Sequence, residues 1–207
     1  MKIGIIGGGS VGQKLAALLQ STGHEVVLGL RDPAKASGLS YQVAGLDAAA
    51  QVSEVVIIAI PYTACAEVLP KLATALNGKI VIDATNPLNS DWSPLLLGQE
   101  NSAGEEVARL LPNSRVVKAF NTIFADIMTP ERIARAGQKA TAFICGDDAG
   151  ANDTVAELAR QIGFTPVVTG PLRNARYLEG MAHLNIAIAV GTGGGTNAAF
   201  LYHQIRG

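Results

Sequence analysis

Three glycines near the start of the chain have the spacing that a phosphate-binding turn requires. Gly7, Gly9 and Gly12 follow the apolar residues 3–6 and precede leucines at helical spacing. In a G-x-G-x-x-G pattern the first glycine allows a tight turn, the second lets a pyrophosphate approach the backbone, and the third lets the helix pack closely on the strand. The N–H groups at the start of the helix then face the phosphates. Because it stands between a predicted strand and a predicted helix, the pattern predicts a dinucleotide site.

The end of the second predicted strand, residues 25–29, indicates which dinucleotide binds. An acidic residue at this point is typical of NAD sites, whereas an arginine receives the 2′-phosphate of NADP. Arg31 can pair with that phosphate and stack on the adenine, and Lys35 adds a second positive charge. Asp32 is interpreted as the cap of the next helix, with Pro33 as its first residue. The sequence favours NADP over NAD; the alternative is an exposed helix start without a ligand.

Strands and helices are predicted to alternate along the chain, which indicates an α/β fold. We expect a Rossmann-type, doubly wound and mostly parallel sheet. Residues 1–170 are predicted to form an NADP-binding domain, and residues 171–207 a small helical C-terminal lid for substrate or dimer contacts. The predicted strands after the first two are residues 40–43, 55–60, 79–83, 115–120, 140–145 and 166–168. Four of the predicted helices are residues 47–51, 62–76, 148–162 and 178–190, with a kink or break expected at Pro70. A fifth is predicted to begin at a capping box at residues 102–105 and to continue to Leu111.

Ligands of such sheets bind outside the C-terminal ends of the strands. The loops that follow the strands 55–60 and 79–83 are therefore expected to line the cofactor groove. The expected lining residues are Ile60, Pro61, Tyr62, Thr85, Asn86 and Pro87. The last helix is apolar nearly all round, so we expect it to be buried over the active face or in the interface of a homodimer.

Composition excludes several other classes of protein. The formal net charge of −1 argues against a nucleic-acid partner. Cys65 and Cys145 match no metal or redox spacing, so no metal is expected, and they suit a reducing compartment. The most apolar late segment, residues 184–201, is interrupted by polar residues and a glycine run, so no membrane span is expected. The expected location is the cytoplasm, and the expected partner is a small-molecule substrate.

Six short motifs occur together along the chain: GGGSVG at 7–12, GLR at 29–31 with Lys35, AIP at 59–61, VKAFNTI at 117–123, CGD at 145–147, and GPLRNAR at 170–176 with Glu179. Together they resemble one family, the coenzyme F420-dependent NADP oxidoreductases (NADPH-dependent F420 reductases), which are related to the N-terminal domain of the six-transmembrane epithelial antigen ferric reductases. The six motifs span nearly the whole chain. They are fairly specific for the family and do not specify the electron acceptor.

The resemblance implies roles for individual residues. The residues it places at the NADP phosphates are Ser10, Val11, Arg31 and Lys35. The residues it places near the nicotinamide are Ile60, Pro61, Asn121 and Ala125, and those it places at the second ring system are Thr122, Ile123 and Leu172. Leu30, also assigned to the cofactor site, stands where relatives often have a small hydroxyl residue. Asn121 stands where archaeal deazaflavin enzymes tend to have histidine.

Three functions remain open. The first is hydride transfer between NADP(H) and a deazaflavin, such as coenzyme F420, or a flavin, which requires positioned rings and for which no catalytic side chain is assigned. The second is reduction of a small imine or keto acid, as in pyrroline-carboxylate reductases and hydroxyacid dehydrogenases, which needs a proton donor. No lysine follows Lys139, so His183 is the alternative donor on the last helix. The third is a non-catalytic NADPH-binding redox sensor.

Overall fold

The computed structural model describes residues 1–36 and 41–204. Eight strands in these ranges form one sheet: β1 (Lys2–Ile6), β2 (Glu25–Leu30), β3 (Gln42–Gly45), β4 (Val55–Ile58), β5 (Ile80–Asp83), β6 (Arg115–Ala119), β9 (Thr141–Gly146) and β10 (Thr165–Val168). Their order in the sheet is β10-β9-β6-β5-β4-β1-β2-β3. A separate hairpin consists of β7 (Ala134–Arg135) and β8 (Gln138–Lys139).

Helices cover both faces of the sheet. They are α1 (Ser10–Ser21), α2 (Leu46–Val52), α3 (Cys65–Leu76), α4 (Ala103–Leu110), α5 (Pro130–Ile133), α6 (Ala149–Gln161) and α7 (Ala175–Ile186). One core cluster packs α1 and α6 on one face of the sheet, and a second packs α2, α3, α4 and α7 on the other. The central strands β4 and β5 are buried because helices cover both of their faces, and all their residues except Asp83 are apolar.

The strand order confirms the predicted fold class. The six strands from β1 to β6 pair in parallel. β1 lies between β2 and β4, so the strand order runs from β1 to β2 and β3 on one side and from β4 to β5 and β6 on the other. The cofactor crevice of a doubly wound sheet lies at this reversal. β9 pairs antiparallel with β6, so the sheet is mostly parallel, as predicted.

The structure corrects several predicted boundaries. The predicted strand 40–43 begins at Ser40, outside the described residues, and β3 is Gln42–Gly45. The strand predicted to reach residue 60 ends at Ile58, because the chain then turns toward the glycine loop and Ala59 N–H donates to Ile6. The helix predicted from residue 62 begins as a 3₁₀ turn, Tyr62–Ala64, and becomes α-helical at Cys65.

Two prolines behave differently from the prediction. Pro70 lies inside α3 without ending it, since it is on the exposed face, where water can satisfy the carbonyl it frees. Pro33 begins only a three-residue 3₁₀ turn, Pro33–Lys35, rather than a full helix. The predicted capping box is confirmed, because the Ser102 side chain accepts a hydrogen bond from the Glu105 N–H and so caps α4, which begins at Ala103.

The last helix is longer than predicted, and one of its faces is exposed in the single chain. It begins at Ala175 rather than at residue 178, and it continues as one π-helical turn, Ala187–Gly191. It is not buried all round: Leu184 is 54% exposed and Val190 is 68% exposed. No helix within residues 1–36 and 41–204 is long and apolar enough to cross a membrane.

Candidate active site

The glycine turn has the geometry predicted for it. A Cβ atom on Gly7 would lie 2.3 Å from the carbonyl oxygen of Ala59, and one on Gly12 would lie 2.2 Å from that of Gly7. Both contacts exclude a side chain. A Cβ atom on Gly9, by contrast, would meet nothing within 4 Å and would project into open space. The turn is therefore closed on its protein side and open at Gly9, where a pyrophosphate fits beside the start of α1.

A groove of ≈ 250 Å³ continues from the turn toward the tip of β2. Its walls include Gly29, Leu30 and Arg31 on one side and Leu46 and Val68 on the other. The apolar walls suit an adenine ring, and the exposed Arg31 stands at the end where a 2′-phosphate lies in NADP proteins. The residues present fit NADP on this geometry.

The predicted phosphate contacts lie at both ends of this groove. Ser10 and Val11 are the first two residues of α1, so their N–H groups have no intrahelical acceptor. Lys35 ends the 3₁₀ turn beyond Arg31, but its side chain lies outside the described part of the structure. Asp32 occupies the cap position of that turn. The individual phosphate contacts stay predictions.

The loop after β4 forms the next wall of the groove. Ile60 and Pro61 face the same cavity as the glycine turn. Tyr62 follows on the 3₁₀ turn, and burial together with the charge of Glu106 raises the pKa of its hydroxyl above the ordinary 10.0. The phenol therefore stays protonated at neutral pH.

The loops after β5 and β6 are joined by paired side chains. Asn86 donates to the carbonyl of Asn121 at 2.7 Å, and Asn121 donates to Asn86 Oδ1 at 3.0 Å and to the carbonyl of Leu178 at 3.0 Å. His183 Nε2 lies 3.1 Å from the carbonyl of Pro87. The structure thus brings together Asn86 and Asn121, which the sequence places in loops after two different strands. Thr85, the second residue of the first of these loops, is 3% exposed.

Phe120 directly follows β6, and its backbone has a left-handed conformation with φ of 64°. A bulky residue in this region is strained by about 1–3 kcal/mol. Its ring packs against Phe164, with centroids 6.1 Å apart. The strained residue immediately precedes Asn121, so it fixes the direction in which the loop after β6 leaves the sheet.

The residues predicted to face the second ring lie on opposite faces of the sheet. Thr122 and Ile123 are buried after β6, and Ile123 belongs to the core cluster on the α1 face. Leu172 belongs to the cluster on the opposite face, where its N–H donates to Asp147. Ala125 begins a 3₁₀ turn, Ala125–Ile127, beyond them. The acceptor contacts of these residues stay predictions.

Sequence reasoning did not single out Lys118, although the structure places it at the centre of this region. Lys118 is fully buried and lies 2.9 Å from Asp83 and 2.8 Å from Glu179. Burial lowers its pKa, but the two carboxylates outweigh burial and raise the pKa overall, so the ammonium stays charged. A lysine inside an apolar strand is the one signal in the sequence that could have indicated it, because such a charge needs buried partners.

The doubly wound sheet and the open glycine turn define a dinucleotide-binding protein of the Rossmann class. The family "NADP oxidoreductase coenzyme F420-dependent" matches residues 2–87. The F420-dependent NADP reductase of Methanothermobacter marburgensis is 32% identical over 92% of this chain and 93% of its own length. The chain belongs to this family, as the sequence motifs predicted.

Two further relatives support the assignment. A crystal structure from Arthrobacter sp. FB24, described as a candidate F420-dependent NADP reductase, has a TM-score of 0.88 and 30% identity, and the match covers 99% of this chain and 100% of that one. Metalloreductase STEAP3 of Rattus norvegicus is 37% identical over 86% of this chain. The match spans only 36% of that metalloreductase, so the chain corresponds to about a third of its length.

Proposed function

We propose that the protein is an NADP-dependent oxidoreductase that moves a hydride between NADP(H) and a ring acceptor, a deazaflavin such as coenzyme F420 or a flavin. When bound, the nicotinamide supplies the hydride at its ring carbon, and the acceptor ring takes it together with a proton from water. The chain's own contribution is to hold two rings in contact, which accounts for most of the rate in such a transfer. Residues 171–207 serve in this proposal as the lid over the acceptor.

One observation carries this proposal: the polar side chains near the ends of β5 and β6 form hydrogen bonds and ion pairs with other groups of the protein. Lys118 uses its three donors on Asp83, Glu179 and Thr85, and His183 Nε2 contacts the Pro87 carbonyl. Reduction of an imine or keto acid needs a proton donor free to reach the substrate. Lys118 and His183 are instead held by the protein, which favours transfer between rings over a reduction in which either of them donates the proton.

A panel of acceptors tests the proposal. NADPH oxidation is followed at saturating NADPH with coenzyme F420, FMN, FAD, a ferric chelate, a cyclic imine and a 2-keto acid. We expect turnover with F420 or a flavin, and at least about a hundredfold lower kcat/KM with the imine and the keto acid. Preferred turnover of the imine or keto acid contradicts the proposal. Tight NADPH binding without turnover of any acceptor supports the redox sensor instead.

We also propose that the protein is a homodimer that pairs through α7. Tyr177, Met181, Leu184 and Ile188 stand at helical spacing on one face, and Tyr177 is 73% exposed. An apolar stripe of this kind is typical of a helix that packs on a partner. Light scattering after size exclusion measures the mass. We expect a dimer for the parent and a monomer for Leu184→Glu, whereas Val52→Glu, an exposed apolar residue at the end of α2, stays dimeric. A monomeric parent contradicts the proposal.

A further inference from the structure

Three buried ionisable side chains form a connected cluster at the C-terminal edge of the sheet. The ammonium group of Lys118 contacts Asp83 Oδ2 at 2.9 Å, Glu179 Oε1 at 2.8 Å and the carbonyl oxygen of Thr85 at 2.7 Å. Lys118 and Asp83 are 0% exposed, and Glu179 is 4% exposed. The second oxygen of Asp83 accepts the Thr85 N–H at 2.9 Å. Thr85 is therefore held at both its N–H and its carbonyl by this cluster.

The surplus negative charge of the cluster is matched by a helix. One ammonium and two carboxylates carry a net charge of −1. The carboxylate of Glu179 also accepts the N–H groups of Ala103 at 2.9 Å and Gly104 at 3.0 Å, which begin α4. The positive end of a helix dipole stabilises an anion at this position. Glu179 thus ties α7 to α4, and through Lys118 it ties both helices to β6.

A second contact joins α7 to the loop after β6. The carbonyl of Leu178, one residue before Glu179, accepts the side-chain amide of Asn121 at 3.0 Å. Thr85 lies two residues after β5 and Asn121 two residues after β6, and both are predicted to lie near the bound cofactor. The position of α7 along its axis therefore sets both loops together.

Stability alone does not account for a buried ionic cluster. Removing three charges from water is costly, and an apolar cluster of similar volume is often as stable or more stable. A buried cluster does specify geometry, because each charge requires its partners at defined distances. The geometry specified here is that of Thr85 and of the helix segment that holds Asn121.

We propose that Lys118, Asp83 and Glu179 are positioning residues that fix the two loops beneath the nicotinamide ring, so that their loss slows hydride transfer more than it weakens NADPH binding. This inference rests on the proposed function for its kinetic consequence. The pyrophosphate and adenosine contacts are predicted at the glycine turn and at the tip of β2, in a cavity whose lining includes none of the three cluster residues, and they are expected to supply the binding.

The test compares two Glu→Gln substitutions on the same pair of helices. Glu179→Gln keeps the shape of the side chain and removes the charge that holds Lys118. Glu105→Gln is the matched control, since Glu105 pairs with Arg176 at 2.8 and 2.9 Å and so also joins α4 to α7, without contacting either loop. Steady-state kinetics give kcat and KM with NADPH, and 4-deuterated NADPH gives the isotope effect. Nuclear magnetic resonance of bound NADPH reports the nicotinamide protons without any acceptor.

We expect Glu179→Gln to lower kcat by about tenfold or more, since small displacements of reacting atoms have effects of this size. The KM and dissociation constant for NADPH should change by less than about threefold, the isotope effect should rise, and the nicotinamide signals should shift. Glu105→Gln should match the parent in kcat, in NADPH binding, in the isotope effect and in the nicotinamide signals. Equal kcat and equal nicotinamide signals in the two variants overturn the proposal, as does a parallel loss of NADPH affinity and turnover in Glu179→Gln.

Two safeguards keep the outcome decisive. Where thermal unfolding shows that Glu179→Gln does not fold, Asp83→Asn supplies the same comparison, because it retains an oxygen for the Thr85 N–H and leaves Glu179 in place. Where the parent turns over no acceptor, the proposed function fails, yet the nicotinamide signals still decide the positioning role. Signals of Glu179→Gln or Asp83→Asn that match the parent then reject it, and shifted signals with unchanged affinity support it.

Discussion

Asn86 and Asn121 hold each other across the ends of two neighbouring strands. Asn86 Nδ2 donates to the backbone carbonyl of Asn121 at 2.7 Å, and Asn121 Nδ2 donates to the side-chain oxygen of Asn86 at 3.0 Å. The pair closes the loops after β5 and β6 onto each other. Since the same Asn121 amide donates to the carbonyl of Leu178, the pair also fastens these loops to α7.

Asn121→Ala should therefore impair turnover more than His183→Ala does. The alanine removes two donated hydrogen bonds and leaves buried acceptors unsatisfied, at about 1–3 kcal/mol. Displacement of the rings adds to this loss, so we expect kcat to fall by about tenfold to a hundredfold. His183→Ala removes one contact with a carbonyl oxygen, and kcat should stay within about fivefold of the parent.

The measurement is steady-state turnover of both variants with NADPH and the best acceptor between pH 5 and pH 9. A hundredfold loss in His183→Ala, together with the disappearance of a bell-shaped pH profile, contradicts this prediction. That result would assign His183 as a proton donor and favour reduction of an imine or keto acid.

The parts of the site that the sequence predicted are local, and those that it did not predict depend on distant partners. The turn at Gly7, Gly9 and Gly12 could be predicted because each glycine acts within one strand–turn–helix unit. The antiparallel direction of β9 could not, since it depends on how the chain returns through the segment between residues 120 and 140. Lys118 has no partner near it in sequence: Asp83 and Glu179 are 35 and 61 residues away.

The last helix shows the same limit. Its apolar composition predicted burial over the active face or in a dimer interface, and Tyr177 and Leu184 face outward in one chain. Composition indicates that the apolar face of α7 is covered, but not whether another part of the same chain or a second subunit covers it. The hairpin of β7 and β8 was not predicted either, because each strand has only two residues and no periodicity to detect.

Gly9→Val and Gly12→Ala should fail in different ways. A side chain on Gly9 projects into open space, so we expect Gly9→Val to fold normally and to bind NADPH at least about a hundredfold more weakly, because the side chain takes the place of the pyrophosphate. A Cβ on Gly12 would lie 2.2 Å from a backbone oxygen, so Gly12→Ala should lose stability by about 1–3 kcal/mol even without the cofactor. Urea unfolding and calorimetric titration with NADPH separate the two effects. NADPH binding by Gly9→Val at parental affinity contradicts a cofactor path over this turn.

Arg31→Ala should change cofactor preference. A charge-assisted contact between a guanidinium and a phosphate contributes about 1.5–3 kcal/mol, so NADPH affinity should fall by about tenfold or more. NADH lacks the 2′-phosphate, and its affinity should stay within about twofold. Arg135→Ala, an exposed arginine in the β7–β8 hairpin away from the groove, is the control and should bind both cofactors as the parent does. Equal losses of NADPH and NADH affinity in Arg31→Ala contradict the assigned role of the arginine.

The two buried thiols should make stability depend on alkaline pH. Burial raises the pKa of Cys65 and of Cys145 from the ordinary 9.0 to about 12 in the folded protein. The folded state therefore holds each thiol proton more tightly than the unfolded chain, and this contribution is complete below pH 9 and is lost as the pH rises toward 12. Each thiol should lower the free energy of unfolding by up to about 1.4 kcal/mol per pH unit in this window.

Urea unfolding of the parent, Cys65→Ala and Cys145→Ala at pH 8 to 11 measures this dependence. The difference in free energy of unfolding between the parent and each variant should stay level up to pH 9 and then shrink. A gap that stays constant to pH 11 would show that the thiols titrate alike in the folded and unfolded states.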